Sequence, residues 1–409
     1  MRWRFLWHVA LMMCSTFCST HPTMAQNPFR CGTDEYHQEY LAHDASAMEE
    51  WRKLRTLIRT PSAGNLRGPL EIPVVFHIVY RTEEQNISDA AILDQVDIIN
   101  AALQTSNREN NGIPAHFKPF AAAMGIRLCL SEVLPGGRSK LRITRHQTQL
   151  RDIGKNKRQR IKYDSLGGAN AWDPEKYLNI WIGEIGNNLL GYSTFPDVAG
   201  KPEDGIVLEV RYLLKSEGPY SMSRTLIHEM GHYLGLCHLP GCFKASCEVD
   251  DNIEDTPNQG HYYNQELCPE TPQISCNSLD MYMNYMAFSP DRCLLMFTQD
   301  QVNASRFLLH VKRPGLLGAA CNELGTNQSW RQHLHCHYSM KEKSIIISSE
   351  IVAPEGWKVQ LLSITGQIIQ QGDISHRKRY KFSYPLTSGH YIVYFYGPNS
   401  TFYKKITVY

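Results

Sequence analysis

The segment from His228 to His238, with the sequence HEMGHYLGLCH, restricts this chain more than any other feature. If the segment begins as a helix, His228 and His232 are four residues apart and lie on the same face. Gly235 can adopt a positive φ without steric cost, so it can end the helix and turn the chain back toward that face. The turn brings His238 to the other two imidazoles. Three histidines so placed can bind one Zn²⁺ and leave its fourth position to water.

Glu229 follows the first of these histidines, where its carboxylate can reach a water molecule on the metal. Zinc lowers the pKa of such a water, and a nearby carboxylate can take its proton. The alternative is an amphipathic helix with incidental histidines. The glutamate, the glycine and the third histidine at fixed offsets argue against that alternative. We therefore predict a catalytic zinc site with Glu229 as the general base.

Composition and the N-terminus indicate an exported protein. The chain has 409 residues, enough for two or three domains, and its net charge of +2 points to neither nucleic acid nor a membrane surface. Twelve cysteines favour an oxidising compartment. Arg2 and Arg4 precede an apolar run, and Thr23-Met24-Ala25 offers a cleavage site, so residues 1–25 are predicted as a signal peptide. No other stretch approaches the ~20 apolar residues of a membrane span.

Residues 26–59 are polar and charged, and we predict that they form a pro-segment with one short helix. Cys31 lies in this segment as a lone thiol ahead of the zinc motif. Its thiolate could occupy the water position and keep the enzyme latent, and Asp34 could do the same through an oxygen. The alternatives are that Cys31 forms a disulfide or stays unpaired. Arginines at four positions offer cleavage points: Arg52, Arg55, Arg59 and Arg67.

The composition changes near residue 70, and residues 60–317 are predicted as one α+β catalytic domain. It would combine a twisted sheet, the zinc helix and a loop-rich C-terminal subdomain. A helix is predicted over 88–105, with Ser88 as its N-cap. Apolar, β-branched runs predict strands at 72–80, 126–133, 177–182 and 206–208. The last of these is expected at the sheet edge above the cleft.

Residues 239–317 contain five cysteines without a tight Cys-x-x-Cys pair, which favours disulfides over a second zinc site. Cys237, inside the zinc motif, either pairs with Cys242 or is buried. The acidic residues at 250–257 suit Ca²⁺, which takes 6–8 oxygen ligands, or form a solvated turn.

The zinc motif, the acidic segment and the later segment MNYMAFSPD (283–291), in this order and spacing, resemble the pappalysin family of metzincin peptidases, cytophagalysin branch. The segments GANAWD (168–173), YLNIW (177–181) and RCGT (30–33) are also similar to that family. The likeness covers roughly residues 29 to 317. It implies a metzincin fold and hydrolysis of peptide bonds.

The resemblance assigns roles to individual residues. The implied zinc ligands are His228, His232 and His238, with Glu229 as base and Met286 as the apolar floor of the site. The implied disulfides are Cys247–Cys276 and Cys268–Cys293. The implied Ca²⁺ ligands are Asp251, Asp255 and the main chain of Glu254 and Thr256.

Asp291 and Phe288, which both follow Met286 in the sequence, bear on specificity and rate. Relatives with an acid at the position of Asp291 tend to prefer Arg or Lys after the scissile bond, so we predict that preference here. The alternative is a turn aspartate. Relatives usually carry tyrosine where this chain has Phe288, and its hydroxyl can approach the tetrahedral intermediate. Losing one such donor can cost roughly 10²–10³ in rate. Activity should persist at a reduced level.

The remaining chain divides into a predicted linker at 318–343 and a small β-sandwich at 344–409. The linker is expected to be closed by a Cys321–Cys336 bridge, with a metal site at its histidines as the alternative. Alternating apolar residues and regularly spaced glycines predict the sandwich. The segments TGQ (365–367), LTSGHY (386–391) and KKITV (404–408) resemble the C-terminal sorting domain of the type IX secretion system. An ordinary adhesion sandwich is the alternative.

These observations predict a secreted or surface-exposed zinc endopeptidase that is monomeric and binds no nucleic acid. Its expected partners are protein or peptide substrates and an outer-membrane export machinery. The alternative function is a surface-binding protein that keeps a peptidase scaffold with weak or no turnover. Phe288 favours this alternative, whereas Glu229 argues against it.

Overall fold

We describe the fold from a computed structural model of the chain. The described residues are 29–43, 45–59, 70–107, 110–133, 139–154, 159–186, 188–213, 218–221, 223–263, 267–270, 272–318, 334–350, 352–353, 355–363, 368–396 and 401–408. The predicted signal peptide lies outside them. Among the described helices, none has the length and apolar character needed to cross a membrane.

The helices within these ranges are, in chain order, α1 (Thr33–His43), α2 (Ala45–Arg59), α3 (Asp89–Gln104), α4 (Val210–Leu213), α5 (Arg224–Tyr233), α6 (Gln299–Lys312) and α7 (Pro314–Gly318). The strands that precede the C-terminal region are β1 (Phe29–Cys31), β2 (Leu70–Tyr80), β3 (Ala121–Ala122), β4 (Ile126–Cys129), β5 (Ser131–Val133), β6 (Ser139–Leu141), β7 (Ile143–Gln147), β8 (Leu178–Gly183), β9 (Leu189–Ser193), β10 (Ile206–Glu209), β11 (Ile274–Ser275), β12 (Ser278–Leu279) and β13 (Phe297–Thr298).

Among the described residues up to 318, a mixed sheet of seven strands forms the centre, in the order β1-β9-β10-β8-β2-β4, with β7 also paired to β2. The strands β10, β8, β2, β4 and β7 are joined by parallel pairs, whereas β9 runs antiparallel to β10. The N-terminal strand β1 pairs in parallel with the other side of β9. Residues from the start of the described chain therefore cover the outer edge of β9.

Alternating side chains of the sheet build two apolar layers, as the period of a strand requires. Val74, Phe76 and Ile78 of β2 lie in the main core, which also contains the buried faces of α3 and α5. Val79 lies in a second cluster on the other face, with Trp181 and Tyr192. The zinc motif thus lies on one face of the sheet only.

Local sequence explains where the helices around the core begin. The Ser88 side chain accepts a hydrogen bond from the Ala91 amide at the start of α3, as predicted. Thr298 and Gln301 form a capping box at the start of α6. In the N-terminal region (residues 29–59) the structure has two helices, α1 and α2, where the sequence pattern predicted one. Their apolar side chains join the main core, which explains why both are ordered.

Two strand predictions need correction. Residues 206–208 were expected at the sheet edge, but β10 lies between β8 and β9. The prediction is wrong because β9 adds a further antiparallel strand outside β10. Residues 126–133 form two strands, because β4 pairs with β2 whereas β5 pairs with β6.

The C-terminal region contains two antiparallel sheets around one apolar core. Its strands are β14 (Leu334–Ser339), β15 (Ser344–Ser349), β16 (Lys358–Ser363), β17 (Ile368–Asp373), β18 (Arg379–Lys381), β19 (Gly389–Tyr396) and β20 (Thr401–Val408). The sheets have the orders β14-β15-β18 and β17-β16-β19-β20. Trp357, Phe382 and Phe395 are fully buried between them.

The predicted linker contains strand β14, so this region begins before residue 344. Cys336 lies in β14 opposite Ile347 and carries a free thiol. The predicted Cys321–Cys336 bridge is therefore wrong; Cys321 lies outside the described residues. The physical reason is that the segment around Cys336 pairs along the whole of β15 and packs its thiol against the core instead.

Candidate metal centre

The zinc motif folds as a helix followed by a sharp turn. His228 and His232 lie one turn apart on α5, which ends near Tyr233. Gly235 has φ of +99°, and the Leu236 amide donates to the carbonyl of Gly231 at 2.9 Å. This positive φ favours glycine, and a Cβ at residue 235 would also lie 2.3 Å from Leu308 Cδ1, which would have to move. This turn returns the chain to the helix face.

The turn places three imidazoles in contact. The Nε2 atom of His228 lies 3.2 Å from that of His232 and 3.2 Å from that of His238, and the remaining distance is 3.0 Å. All three side chains are buried. Burial lowers the pKa of His232 to about 3, so this ring is neutral at physiological pH. Three imidazole nitrogens that converge in this way form a donor set that suits zinc.

Each ring is oriented through its other nitrogen. His228 Nδ1 lies 2.7 Å from the Tyr285 carbonyl, and His232 Nδ1 lies 2.7 Å from the Leu236 carbonyl. His238 Nδ1 lies 2.9 Å from Asp34 Oδ2. Partners of this kind hold the proton on Nδ1 and direct the Nε2 lone pair at the metal. Asp34 thus supports one of the candidate ligands and does not itself occupy the fourth position.

Cys31 supplies a fourth donor. Its Sγ lies 3.4 Å from His232 Nε2, and the candidate donor atoms of the four residues all lie within 4.8 Å of one another. Burial and the neighbouring Glu229 carboxylate raise the pKa of the Cys31 thiol well above its usual value. A bound cation would reverse this effect, because a thiol that coordinates a metal is deprotonated. The four residues together fit zinc.

Glu229 is buried beside the imidazoles and interacts with the N-terminal region. Its Oε2 accepts a hydrogen bond from Thr33 Oγ1 at 3.0 Å and lies 3.6 Å from Cys31 Sγ. Thr33 Oγ1 in turn accepts from the Ser193 amide of β9 at 2.9 Å. The contact of Thr33 with Glu229 was not predicted from the sequence. The one available signal was that Thr33 lies two residues after Cys31.

Met286 lies directly beneath the zinc helix. A Cβ on Gly231 would lie 2.2 Å from Met286 Sδ, so helix and Met-containing turn pack together only because residue 231 is glycine. The Met286 amide donates to Asn284 Oδ1 at 2.9 Å, which fixes the turn. Gly231 was another residue that sequence reasoning missed, because nothing in the motif itself indicates what packs below it.

The disulfides Cys247–Cys276, Cys268–Cys293 and Cys237–Cys242 are present. Cys129 is also disulfide-bonded. The bridge Cys268–Cys293 connects the loop after the acidic segment to the short turn that begins at Asp291. These crosslinks restrain the loop-rich region around the imidazoles.

Asp291 is buried at the start of the zinc helix. Its Oδ2 accepts a hydrogen bond from the Arg224 amide at 3.1 Å, at the first residue of α5. A carboxylate at a helix N-terminus is stabilised by the unpaired amides and the helix dipole. His228 lies one turn further along the same helix, so Asp291 is close to the centre but not part of it.

The acidic segment at 250–257 faces helix α2. Both side-chain oxygens of Asp251 accept from Thr256 Oγ1 at 2.9 Å, and Oδ1 also accepts from the Ile253 amide. Arg55 donates a hydrogen bond to the Asp251 carbonyl, and Arg59 Nε donates to Asn252 Oδ1 at 2.6 Å. The N-terminal region therefore contacts both the metal centre and the predicted calcium segment.

Asp255 and Glu254 differ in their surroundings. Asp255 Oδ2 accepts from the Asp300 amide at 2.9 Å, in the first turn of α6, whereas Glu254 is exposed. Among the four predicted calcium ligands, the side chains of Asp251 and Thr256 form hydrogen bonds with each other.

Comparisons with known proteins agree with this geometry. Residues 162–310 match the family model described as Pregnancy-associated plasma protein-A, and this match includes the three histidines. An extracellular metalloprotease from Verticillium alfalfae is 25% identical over 317 residues, which cover 74% of this chain and 95% of the fungal protein.

Two solved structures from Tannerella forsythia are similar in fold and sequence. A Glu-to-Ala mutant of promirolysin is 32% identical to this chain, and the two structures align with a TM-score of 0.62. The alignment covers 72% of this chain and 99% of promirolysin. Mature mirolysin in complex with a cleaved peptide is 36% identical, with a TM-score of 0.57 over 63% of this chain and 98% of mirolysin. The converging histidines, the matching family model and a relative covered over nearly its whole length lead to one conclusion: this chain belongs to the pappalysin family of metallopeptidases.

Proposed function

We propose that this protein is a secreted zinc endopeptidase that is produced in a latent form. The observation that carries the proposal is the convergence of three Nε2 atoms beside the buried carboxylate of Glu229, with Cys31 at the fourth position. Zinc, when held by the three histidines, makes a water molecule acidic and polarises a carbonyl. Glu229 would take the proton at Oε2 and pass it to the leaving nitrogen.

The outer edge of β9 is the proposed place for the substrate main chain. In this structure β1 pairs with it, from Phe29 opposite Leu189 to Cys31 opposite Gly191. An extended peptide can add to a sheet edge in the same manner once β1 has left. Mature mirolysin has been solved with a cleaved peptide, which supports peptides as the substrate class.

The first test is hydrolysis of casein by the full chain after limited proteolysis within the pro-segment. We expect hydrolysis that a chelator abolishes and that added zinc restores. Calcium, proposed from the family resemblance to bind Asp251, Glu254, Asp255 and Thr256, should raise the unfolding temperature without restoring hydrolysis. A processed protein that retains zinc but cleaves nothing would favour the alternative function, a binding protein on a peptidase scaffold.

We propose that Asp291 favours Arg or Lys after the scissile bond. Its carboxylate is buried one helical turn before His228, and a buried negative charge in a substrate pocket selects a positive side chain. The expected result for Asp291→Asn is a decrease in kcat/KM of about 30- to 5,000-fold for peptides with Arg at that position, from the ~2–5 kcal/mol of a buried charge pair.

Peptide-library profiling of the processed enzyme measures this change. Peptides with an apolar residue at the same position serve as the internal control, because they should lose little. An unchanged preference for basic residues would refute the role of Asp291. An equal loss on all peptides would show that Asp291 only supports the start of α5.

The C-terminal region is proposed to act as a sorting domain for export across an outer membrane. The support is the resemblance of its terminal segments, together with two sheets that enclose their own core. Relatives are named extracellular metalloproteases, which agrees with secretion. Deleting residues 334–409, so that β14 is not left unpaired, should retain the protein in the periplasm. Normal export of the truncated protein would point to an adhesion module instead.

A further inference from the structure

An aromatic pair lies against the candidate zinc ligands. The centroid of the Phe288 ring lies 4.5 Å from that of His238, with an angle of 84° between the two ring planes. It lies 5.8 Å from the centroid of the His228 ring. Tyr262 stacks on Phe288 at 4.4 Å with an angle of 18°, and its ring is 5.9 Å from His238 at 90°. Phe288 has no hydrogen-bond donor, so Tyr262 is the residue of this pair that carries one.

The Tyr262 phenol lies near the N-terminal region. Burial raises the pKa of Tyr262, and its electrostatic interactions with Asp34, Cys31 and Glu35 raise it further. These three residues belong to β1 and α1, which occupy the cleft in this structure. Cys31 lies with the three histidines in one donor set, and the Tyr262 ring lies beside His238 of that set. The phenol O–H group of Tyr262 can donate a hydrogen bond.

The loop that carries Tyr262 is restrained on both sides. Gln259 Nε2 donates to the carbonyl of His261 at 2.7 Å, and the Gly260 amide donates to Ser275 Oγ at 2.8 Å. On the other side, the Tyr263 hydroxyl donates to Asp280. Together with the stacking on Phe288, these contacts limit the motion of the Tyr262 ring. A donor held in place before the reaction needs little reorganisation, which is the condition for effective charge stabilisation.

We propose that Tyr262 is a catalytic residue, whose hydroxyl donates a hydrogen bond to the oxygen of the scissile carbonyl as that oxygen becomes negative. The proton stays on Tyr262 throughout. This inference rests on the proposed peptidase function. It changes the expectation drawn from Phe288, because the hydroxyl missing there is supplied by the ring stacked on it. Removing one donor of this kind costs roughly 10²–10³ in kcat.

The test uses the full chain, processed by limited proteolysis, and the variant Tyr262→Phe, which keeps the stacked ring and removes the hydroxyl. We expect kcat/KM on a peptide to fall about 10²-fold. The affinity for a phosphinic peptide, which presents a tetrahedral anion, should fall by the same factor. The affinity for a cleavage-product peptide, the zinc content and the unfolding temperature should not change.

Two further variants separate chemistry from folding. Tyr263→Phe removes the neighbouring phenol and its bond to Asp280 but keeps the Tyr262 hydroxyl, so it should lower the unfolding temperature and reduce phosphinic peptide affinity less than Tyr262→Phe does. Phe288→Tyr, introduced into the Tyr262→Phe protein, should restore kcat/KM by returning a hydroxyl to the same aromatic pair. Restoration would support an oxyanion contact, which a purely structural role for Tyr262 does not predict.

The outcomes distinguish this inference from the proposed function. If the parent enzyme is active and Tyr262→Phe keeps both its kcat/KM and its phosphinic peptide affinity, Tyr262 is not catalytic although the peptidase function stands. If the processed parent binds zinc but hydrolyses no peptide, the proposed function fails and the role of Tyr262 fails with it.

Discussion

Replacing Glu229 by glutamine is expected to lower kcat/KM for peptide hydrolysis by about 10²–10⁴-fold, the usual contribution of general acid–base catalysis. The amide is nearly isosteric, so the buried site should keep its packing. It cannot accept the proton of the attacking water, because it carries no negative charge. The three imidazoles do not depend on Glu229 for their hydrogen bonds, since their Nδ1 atoms lie against Tyr285, Leu236 and Asp34.

Two measurements on the processed enzyme check this prediction: the rate on a fluorogenic peptide and the zinc content by elemental analysis. The matched control is Glu248→Gln, since the Glu248 side chain is 85% exposed and its Oε2 lies 3.9 Å from Lys244 Nζ in a surface ion pair. That control should retain the parent rate. A Glu229→Gln protein that holds zinc and digests peptide at the parent rate would remove the general base from the mechanism. Loss of zinc together with activity would instead assign a structural role to Glu229.

Replacing Cys31 by alanine in the unprocessed chain is expected to raise proteolytic activity by about 30- to 5,000-fold, because truncating one partner of a buried charged contact costs ~2–5 kcal/mol. The Cys31 Sγ is the donor of the N-terminal region that reaches His232. Its loss would return the fourth position to water. The remaining contacts, between Thr33 and Glu229 and between Asp34 and His238, should keep the release incomplete.

The measurement is hydrolysis of a small peptide by the intact chain, with intactness checked by mass spectrometry before and after the assay. Cys336→Ala is the matched control, because Cys336 is the second free cysteine among the described residues and lies in β14. That variant should remain latent. Full latency of Cys31→Ala would show that β1 and α1 block the cleft by covering β9 alone. In that case Thr33→Val, which removes the contact with Glu229, becomes the variant to test.

The sequence by itself was sufficient for those parts of the site that depend on short spacings. His228 and His232 were placed together by the helical repeat, and Gly235 was assigned its positive φ because the chain had to turn within six residues of His232. Helix α3 was predicted from Ser88 and from apolar residues at helical spacing, namely Ile92, Val96, Ile99 and Leu103. These inferences succeeded because backbone geometry over a few residues is fixed by residue type and hydrogen bonding.

Edge and interior strands were harder to distinguish. Residues 206–208 are equally apolar whether a further strand lies outside them or not, and the antiparallel partner β9 was not recognised. The predicted Cys321–Cys336 bridge failed for a similar reason. A cysteine in an alternating strand carries no local signal that distinguishes a disulfide from a buried thiol, and the pairing of β14 with β15 decided the matter.

The motif around His228 was therefore readable from the amino-acid sequence, since helix periodicity and a single glycine turn determine it locally. Only the tertiary structure decided which distant residues complete the site. Asp34 lies 204 positions from His238, and Thr33 lies 196 positions from Glu229, yet both pairs are within hydrogen-bonding distance. Tyr262 reaches the ligands by stacking on Phe288. Contacts of this kind depend on how the sheet, the helices and the disulfide-linked loops pack, and residue spacing along the chain does not encode that packing.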